Sequence, residues 1–341
     1  SELSYLAVQG KVYYDSKGPY PLLFGRNNLT KIIPYIAKKE ELYDDNISVI
    51  GGKNYTFGSD ICEAEDESKF LLLSSNSYNK GGTTDPLVIK LDKDNKSVWI
   101  KSIKESGSGS GYIHSIVSSG EGGCIMTGSN YETNGDNELS DYLSEIIKLD
   151  KDGNVEFRKL FKPGPNNLGG YTNRIIKSRD GNYLLTGYCK TSDQGYDNFL
   201  LKMNSKGDIL WNKSYIVDGL AFSGNDIFEL ISGDIIVTGA DDPRDLVCVL
   251  KTDKDGEKIW LKTVSPQLTY DIYNPRAVVT KNEEIVFCTT AQWRDVNTNE
   301  SYITPHFIKL SKNGNYIEEK RPVIGIAGIA DSNAFILDQD G

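Results

Sequence analysis

A short segment recurs five times along the 341-residue chain, and it limits the possible fold more than any other feature. Each copy runs from an apolar stretch through a polar turn into a second apolar stretch, as in IIKLDKDGNVEF and VLKTDKDGEKIW. The copies are marked by Lys90, Lys148, Lys202, Lys251 and Lys309, which are 49 to 58 residues apart. An aromatic residue follows nine positions later in the first four copies, whereas the fifth has Glu318 there. A period of this length predicts one structural unit repeated along the chain.

A second repeated pattern lies between these copies and completes the unit. An apolar anchor (Ile116, Ile175, Ile227 or Val278) is followed at constant spacing by CIMTG, YLLTG, IIVTG or VFCTT. Each unit therefore holds four short apolar runs, A to D, separated by turns rich in Gly, Asn and Asp that suit antiparallel hairpins. Four antiparallel strands in a unit of this length predict the blade of a β-propeller, which packs on its neighbours around a ring.

Five complete units and two terminal segments predict the size of the ring. The units cover about 55–103, 112–161, 171–215, 222–264 and 274–323. Residues 324–341 look like strands A and B of another unit, and residues 1–54 can supply its outer strands. A closing blade shared by both termini would remove the exposed sheet edges. We expect a single all-β domain over 1–341, a propeller of six blades, with seven as the alternative.

The repeat resembles that of a family of bacterial β-propellers, GGYIVTG…FLIKLDxxGNxxWxK, related in blade pattern to quinoprotein-like and kelch-like propellers. The resemblance covers roughly residues 55–340 and implies a propeller in which the aromatic residue docks between blades. It implies no particular activity, since this architecture carries many. The cofactor-binding residues of quinoproteins cannot be placed here. The Asp-box of sialidase propellers is not matched either, because the aromatic follows the turn glycine by four positions instead of three.

The composition narrows the classes of partner. A net charge of −10 argues against nucleic acid and anionic membranes as main partners. No apolar run reaches the length of a transmembrane helix, so we expect no membrane insertion. Five cysteines occur singly in apolar runs, which predicts core residues instead of zinc or redox motifs. We expect a monomer without cofactor or metal, at an extracellular or cell-surface location, although no signal sequence is present in this chain.

The acidic turn DKDG does not fit a calcium loop. Counted from Asp150, Gly153 stands at position 4 and Phe161 at position 12, where an EF-hand needs glycine at position 6 and glutamate at position 12. We therefore interpret these acids as hairpin residues of the C–D turn.

Loop lengths distinguish two faces of the predicted disc. The short A–B and C–D turns lie on one side, the turn face, and the longer B–C and D–A connections lie on the other, the loop face. Variable loops on a rigid scaffold are where binding usually resides. Aromatic side chains beside amides suit sugar stacking or protein contacts. The predicted binding residues in these loops are Tyr131, Tyr196, Tyr273, Trp293 and Arg294, with Trp293 and Arg294 as the preferred pair.

Aligning the inner A strands places one residue of each unit toward the central channel. These are Asp60, Ser115, Arg174, Asp226 and Arg276, and His114 lies next to Ser115. They could form a polar binding or catalytic centre at the channel mouth, or an ion-pair network that fills the channel. The occurrence of both charge signs at one level favours the network.

Two functions follow from these observations. The first is a non-enzymatic binding propeller that recognises protein or glycan through the loop face. The alternative is a carbohydrate-active hydrolase or lyase with its site at the channel mouth, where Asp60 and Asp226 would supply the two carboxylates that a glycosidase needs. No catalytic motif surrounds His114 or His306, and we assign no catalytic residue. The sequence favours the first function.

Overall fold

Strands and turns account for all the regular structure in a computed structural model of the chain. It describes residues 13–15, 18–20, 22–23, 35–36, 56–75, 85–103, 112–133, 139–166, 168–192, 195–215, 222–241, 246–265, 271–294 and 301–320. Within these ranges there is no helix, and hence none long and apolar enough to span a membrane. The predicted all-β class is confirmed.

The strands form five four-stranded antiparallel sheets, numbered first to fifth along the chain, preceded by two hairpins. The hairpins pair β1 (Tyr13–Asp15) with β2 (Gly18–Tyr20), and β3 (Leu22–Leu23) with β4 (Tyr35–Ile36). The first sheet comprises β5 (Thr56–Glu63), β6 (Lys69–Ser75), β7 (Asp85–Leu91) and β8 (Ser97–Ser102). The second comprises β9 (Tyr112–Ser118), β10 (Cys124–Thr133), β11 (Leu139–Leu149) and β12 (Val155–Phe161). The third comprises β13 (Gly170–Lys177), β14 (Tyr183–Ser192), β15 (Gly195–Met203) and β16 (Ile209–Tyr215). The fourth comprises β17 (Phe222–Glu229), β18 (Ile235–Asp241), β19 (Leu246–Thr252) and β20 (Lys258–Val264). The fifth comprises β21 (Asp271–Val279), β22 (Ile285–Arg294), β23 (Ser301–Leu310) and β24 (Tyr316–Lys320).

Each sheet is one predicted repeat, with strands A to D paired in chain order. The first strand of every sheet contacts the first strand of the next, so the A strands form the inner layer of the array. Residues 321–341 and most of 1–54 lie outside the described part of the chain. The closing blade, and the choice between six and seven blades, therefore remain predictions.

The polar C–D turn closes itself with side-chain hydrogen bonds. In the second sheet, Asp150 Oδ1 accepts from the backbone N–H of Asp152 (2.9 Å) and of Asn154 (2.8 Å). Asp253 makes the same two bonds in the fourth sheet. In the second sheet, Gly153 lies between Asp152 and Asn154 and has a φ of +79°, a conformation that favours glycine. The first acid of each DKDG turn is therefore a turn-forming residue, as predicted, and its Oδ1 is used by the backbone.

The repeated lysine ties the C strand to the A–B turn of the same sheet. Lys202 pairs with Asp180 (2.7 Å), Lys251 with Asp234 (2.8 Å) and Lys309 with Glu284 (2.6 Å). In the first sheet Lys90 instead donates to the Gly122 carbonyl of the second sheet (2.7 Å). The stem of each repeated lysine is half-buried or buried, and its ammonium meets an acid or, for Lys90, a backbone carbonyl, so the residue contributes both to packing and to turn geometry.

An aromatic latch joins consecutive sheets. The D-strand aromatic of one sheet lies against the C–D turn glycine of the next, where a methyl group would meet the ring at about 3 Å. The four latches are Trp99 on Gly153, Phe157 on Gly207, Trp211 on Gly256 and Trp260 on Gly314. Trp99 also donates from Nε1 to the Lys151 carbonyl (2.9 Å). The docking role that the family resemblance implies for the aromatic is thus present at four successive junctions.

A lysine two residues after the aromatic reinforces three of these latches. Lys159 donates to the Lys206 carbonyl (2.8 Å), Lys213 to the Asp255 carbonyl (2.6 Å) and Lys262 to Asn315 Oδ1 (2.8 Å). Each ammonium also lies 5.4–5.7 Å from the ring centroid of its own aromatic, within cation–π range. The aromatic and the lysine therefore hold the same neighbouring turn.

The apolar core lies between the sheets and not within them. Four clusters of buried side chains each span two consecutive sheets, and centre on residues such as Phe70, Phe199, Phe222 and Phe287, all fully buried. Four cysteines are buried, namely Cys124, Cys189, Cys248 and Cys288, and Cys62 is half-buried against the same core. None of the five forms a disulfide within the described part of the chain. Burial raises the pKa of Cys124 to about 12, so its thiol stays protonated and unreactive. The core role predicted for the cysteines is confirmed.

The latch predicts unequal costs for two chemically identical substitutions. Gly256 and Gly181 have similar positive φ (+78° and +83°), but only Gly256 faces an aromatic ring, that of Trp211 at 3.1 Å. Gly181→Ala should cost about 1 kcal/mol of unfolding free energy from backbone strain alone. Gly256→Ala should cost roughly 1–3 kcal/mol more, because the methyl group displaces the ring. Urea unfolding of both variants measures the difference, and equal costs would contradict the latch.

Candidate functional site

Equivalent residues of the five inner strands meet at one level of the array. A β-bulge interrupts each inner strand just before this position, and Asp60, Ser115, Arg174, Asp226 and Arg276 follow the bulges. Arg174 Nη1 lies 2.7 Å from Asp60 Oδ2, and its Nε lies 3.4 Å from Asp226 Oδ1. Asp60 Oδ2 also accepts from Ser115 Oγ (2.9 Å). The residues predicted to line the channel therefore include a bridged trio of two acids and one arginine.

The bridge holds both carboxylates in place from several sides. Asp60 accepts the backbone N–H of Ile116 (3.0 Å) in the second sheet, and Asp226 accepts that of Ala277 (3.4 Å) in the fifth. Burial disfavours the charged form of Arg174, but the adjacent carboxylates of Asp60 and Asp226 outweigh it and raise the pKa of the guanidinium. The trio supports the structural interpretation of the channel charges.

Arg276 stands apart from this trio. Its Nη1 approaches the Asn225 carbonyl at 3.5 Å, and its buried Nε has no hydrogen-bond partner among the described residues. Within the part of the chain that the structure describes, it forms no ion pair with a carboxylate. The ring therefore contains one guanidinium engaged by two acids and one with spare donor capacity.

Strands occupy the positions predicted to be loops. Tyr131 lies in β10, Tyr196 in β15, Tyr273 in β21, and Trp293 with Arg294 in β22. The loop assignment was wrong because the hairpins continue beyond the repeated motif: β22 and β23 stay paired as far as Arg294 and Ser301. The side chains of Tyr131, Tyr273, Trp293 and Arg294 lie outside the described part of the structure, so their binding role remains a prediction.

Five tyrosines and one histidine form a continuous aromatic strip on the loop face of the second and third sheets. Its members are Tyr112, His114, Tyr142, Tyr171, Tyr188 and Tyr196. The ring centroids of Tyr112 and His114 are 6.5 Å apart, those of His114 and Tyr171 6.0 Å, and those of Tyr188 and Tyr196 5.1 Å. Tyr171 touches Tyr188 edge-on and lies 6.2 Å from Tyr142. The strip thus runs from the inner strand β9 outward to β15.

Three tyrosines of the strip are substantially exposed to solvent. Tyr112, Tyr142 and Tyr196 are 42%, 41% and 45% exposed, high values for large aromatic residues within strands. Burial, with nearby tyrosines, raises the pKa of Tyr188, so its hydroxyl remains a donor. Such a surface can stack on a flat or ring-shaped ligand and hydrogen-bond to its edge.

His114 lies at the inner end of the strip, beside the channel. Burial, assisted by the positive charge of Arg276, lowers the pKa of His114 to about 4. The imidazole is therefore neutral at pH 7, with one nitrogen able to donate and the other to accept. No described residue supplies it with the serine or cysteine contact of a catalytic dyad. Within the described ranges there is also no group of three metal-ligating side chains.

Four of the six strip residues were not predicted from sequence, although a positional signal exists. Tyr112 and Tyr171 both stand three residues before the channel-facing position of their inner strand, as does Tyr273. Tyr142 and Tyr196 both stand six residues before the repeated lysine. Extending the repeat alignment to the strand ends at the loop face would have brought them together.

Comparisons with known proteins support the fold alone. No protein-family model and no curated protein matches the chain. Among solved structures, a protein of unknown function from Dyadobacter fermentans is similar, with a TM-score of 0.53 and 12% identity, over 78% of this chain and 82% of that one. The NanB sialidase from Streptococcus pneumoniae is similar with a TM-score of 0.52 and 9% identity, over 85% of this chain and 73% of the sialidase. The chain therefore has a β-propeller fold, and such low identities carry no information about activity.

The bridged trio predicts a large effect of removing its cation. Arg174→Met should lower the unfolding free energy by about 3 kcal/mol, because it leaves Asp60 and Asp226 buried without a counter-ion. Adding Asp60→Asn and Asp226→Asn to that variant removes both charges and should recover much of the loss. Urea denaturation at pH 7 measures all three proteins. An Arg174→Met cost below about 1 kcal/mol, typical of a surface pair, would contradict a structural bridge.

The lowered pKa of His114 predicts that the free energy of unfolding depends on pH, and that replacing His114 removes this part of the dependence. Its pKa is about 4 in the folded protein and 6.5 when unperturbed, so between these values the unfolded chain binds more protons. The His114 contribution is therefore intact above pH 6.5 and is lost as the pH falls toward 4, by up to about 3 kcal/mol. The unfolding free energy of wild type minus that of His114→Asn, followed from pH 7 to 4, should fall over this window. A constant difference would show that His114 titrates normally.

Proposed function

We propose that this propeller is a non-catalytic binding protein that recognises a glycan through its loop face. The observation that supports it is the aromatic strip, in which the half-exposed rings of Tyr112, Tyr142 and Tyr196 are connected through more buried rings at centroid distances of 3.8–6.5 Å. Each exposed ring offers a surface on which a sugar ring can stack. The hydroxyl groups at the ring edges are placed to pair with sugar hydroxyls.

The character of the strip favours a glycan over a protein partner. A protein interface has a desolvated apolar core surrounded by a polar rim. The exposed large side chains of the strip are all tyrosines, whereas most exposed aliphatic residues of the described chain, such as Val98, Leu210 and Ile259, lie on the outer D strands. A group of rings with polar edges suits a hydrated, amphipathic ligand.

The bridged trio argues against the enzymatic alternative. A glycosidase acid must be free to donate or accept a proton at the scissile bond. Asp60 and Asp226 instead share Arg174 and accept backbone N–H groups from neighbouring strands. Neutral, half-buried His114 offers hydrogen bonding without a partnered nucleophile among the described residues. Binding without turnover is the function that this geometry supports best.

Loss of a strip tyrosine should weaken glycan binding, whereas loss of an equally exposed tyrosine on the turn face should not. Tyr196→Ala removes the outer ring of the strip, and we expect at least about a tenfold loss of affinity for glycans that wild type binds on an array. Tyr316→Ala is the matched control, since Tyr316 is 56% exposed and follows a C–D turn. Calorimetry with the best array ligand measures both variants.

Two outcomes would contradict the proposal. One is the absence of binding to any glycan by wild-type protein, which would favour a protein partner. The other is equal affinity of wild type, Tyr196→Ala and Tyr316→Ala, which would place the glycan site elsewhere. Release of reducing sugar from a bound glycan would instead support the hydrolase alternative.

A further inference from the structure

The two ends of the aromatic strip carry positively charged side chains. At the inner end, Arg276 lies at the channel level, and its field acts on His114, the innermost ring of the strip. At the outer end, Lys190 of β14 lies directly opposite Tyr196 of β15 in the strand ladder. Directly opposed residues of paired strands hold their side chains on the same face and in contact range. The strip therefore lies between two cationic groups.

Neither cation is neutralised within the described part of the chain. Other lysines of the sheets are matched with acids, as Lys202 is with Asp180 and Lys309 with Glu284. Arg276 makes one long contact, to a neutral carbonyl oxygen, and its Nε is buried without a described hydrogen-bond partner. A guanidinium has five N–H donors, so the donors of Arg276 that no described residue uses can pair with a carboxylate or sulfate oxygen supplied by a ligand.

The two arginines at the channel level differ in their counter-ions. Arg174 and Arg276 occupy equivalent ring positions, yet Arg174 is held by Asp60 and Asp226 while Arg276 is not bound to either acid. The trio supplies its own counter-charges, so an incoming anion gains little there. Arg276 combines a position on an inner strand with spare donors, and its charge acts on His114 at the end of the strip. Spare guanidinium donors at a fixed position are what a carboxylate site needs.

We propose that the glycan recognised by the strip is acidic, with a uronic or other carboxylated or sulfated sugar residue placed against Arg276 beside His114. This inference rests on the proposed function and specifies its ligand class. The net charge of −10 is a property of the whole chain, whereas the local charge at Arg276 and Lys190 is positive. Charges separated by more than a Debye length, about 8 Å at physiological ionic strength, are largely screened.

Matched acidic and neutral probes test the ligand class. A glycan array would carry oligosaccharides of galacturonate, of alginate and of hyaluronan, together with 3′-sialyllactose. Each acidic probe would be printed beside its carboxyl-reduced form. We expect wild type to bind at least one acidic member about tenfold or more tighter than its reduced partner. Arg276→Gln should abolish this preference, Arg276→Lys should retain part of it, and Lys190→Gln should reduce it. Lys312→Gln, an exposed turn-face lysine, is the control and should change nothing.

A second measurement reports on Arg276 without requiring an oligosaccharide. The chain has two histidines, so the imidazole NMR signals of His114 can be assigned with His114→Asn. Titration with glucuronate should shift the His114 signals in wild type but not in Arg276→Gln, and titration with glucose should shift neither. Thermal unfolding of Arg276→Gln and Arg276→Lys verifies that both variants are folded.

The outcomes separate this inference from the proposed function. Equal binding of acidic and reduced probes, with Tyr196→Ala still weakening both, would overturn the acidic ligand and leave the glycan site standing. An acidic preference that survives Arg276→Gln would also overturn it. No glycan binding at all would overturn both proposals, unless glucuronate shifts His114 through Arg276, which would support the anion site alone.

Discussion

The contact between a D-strand aromatic and the turn glycine of the following sheet is the interaction on which the rest of the structure depends. A four-stranded sheet cannot cover both of its own faces, so each sheet is stable only when its neighbours are fixed in position. Trp99, Phe157, Trp211 and Trp260 set that position at the turn face. The inner strands then contact one another in succession, and the buried clusters between sheets follow from this arrangement.

Because the latch lies at the turn face, the two faces differ in how many of their residues are needed for the fold. On the turn face, the acids, lysines and glycines of the repeat are occupied by turn closure and by contacts between sheets, as Asp150 and Lys213 illustrate. Substitution there disturbs an interface as well as a turn. Among the described residues, no aromatic–glycine latch joins neighbouring sheets at the loop face, so the residues there can differ from sheet to sheet. The second and third sheets can therefore carry Tyr112, Tyr142 and Tyr196 at this face without disruption of the packing between sheets.

The fold could be predicted from sequence because its determinants are local and repeated. A glycine four residues before an aromatic occurs in the second, third and fourth copies, and the first and fifth copies each keep one of the two residues, so the copies corroborate one another. The channel trio was also foreseeable, since alignment placed Asp60, Arg174 and Asp226 at one level with opposite charges. The β-bulge that precedes each of these residues could not be predicted from sequence. Its position depends on how two strands pair, and the sequence of one strand does not reveal that register. The strip was missed for a related reason: Tyr171 and Tyr188 meet only once β13 and β14 are paired.

The first and fifth sheets depart from the repeat at the residues that form the latch. The C–D turn of the first sheet has Asn95 at positive φ where the later sheets have glycine, and the fifth sheet has Glu318 in place of its aromatic. A Cβ at the turn occupies the space that a ring needs, and a carboxylate cannot replace a ring in apolar contact. The first sheet therefore lacks the glycine of the latch and the fifth sheet lacks the aromatic, so neither end of the described array can repeat the latch of the four inner junctions in full. Arg276 lies on the inner strand of that fifth sheet, where it forms no ion pair among the described residues.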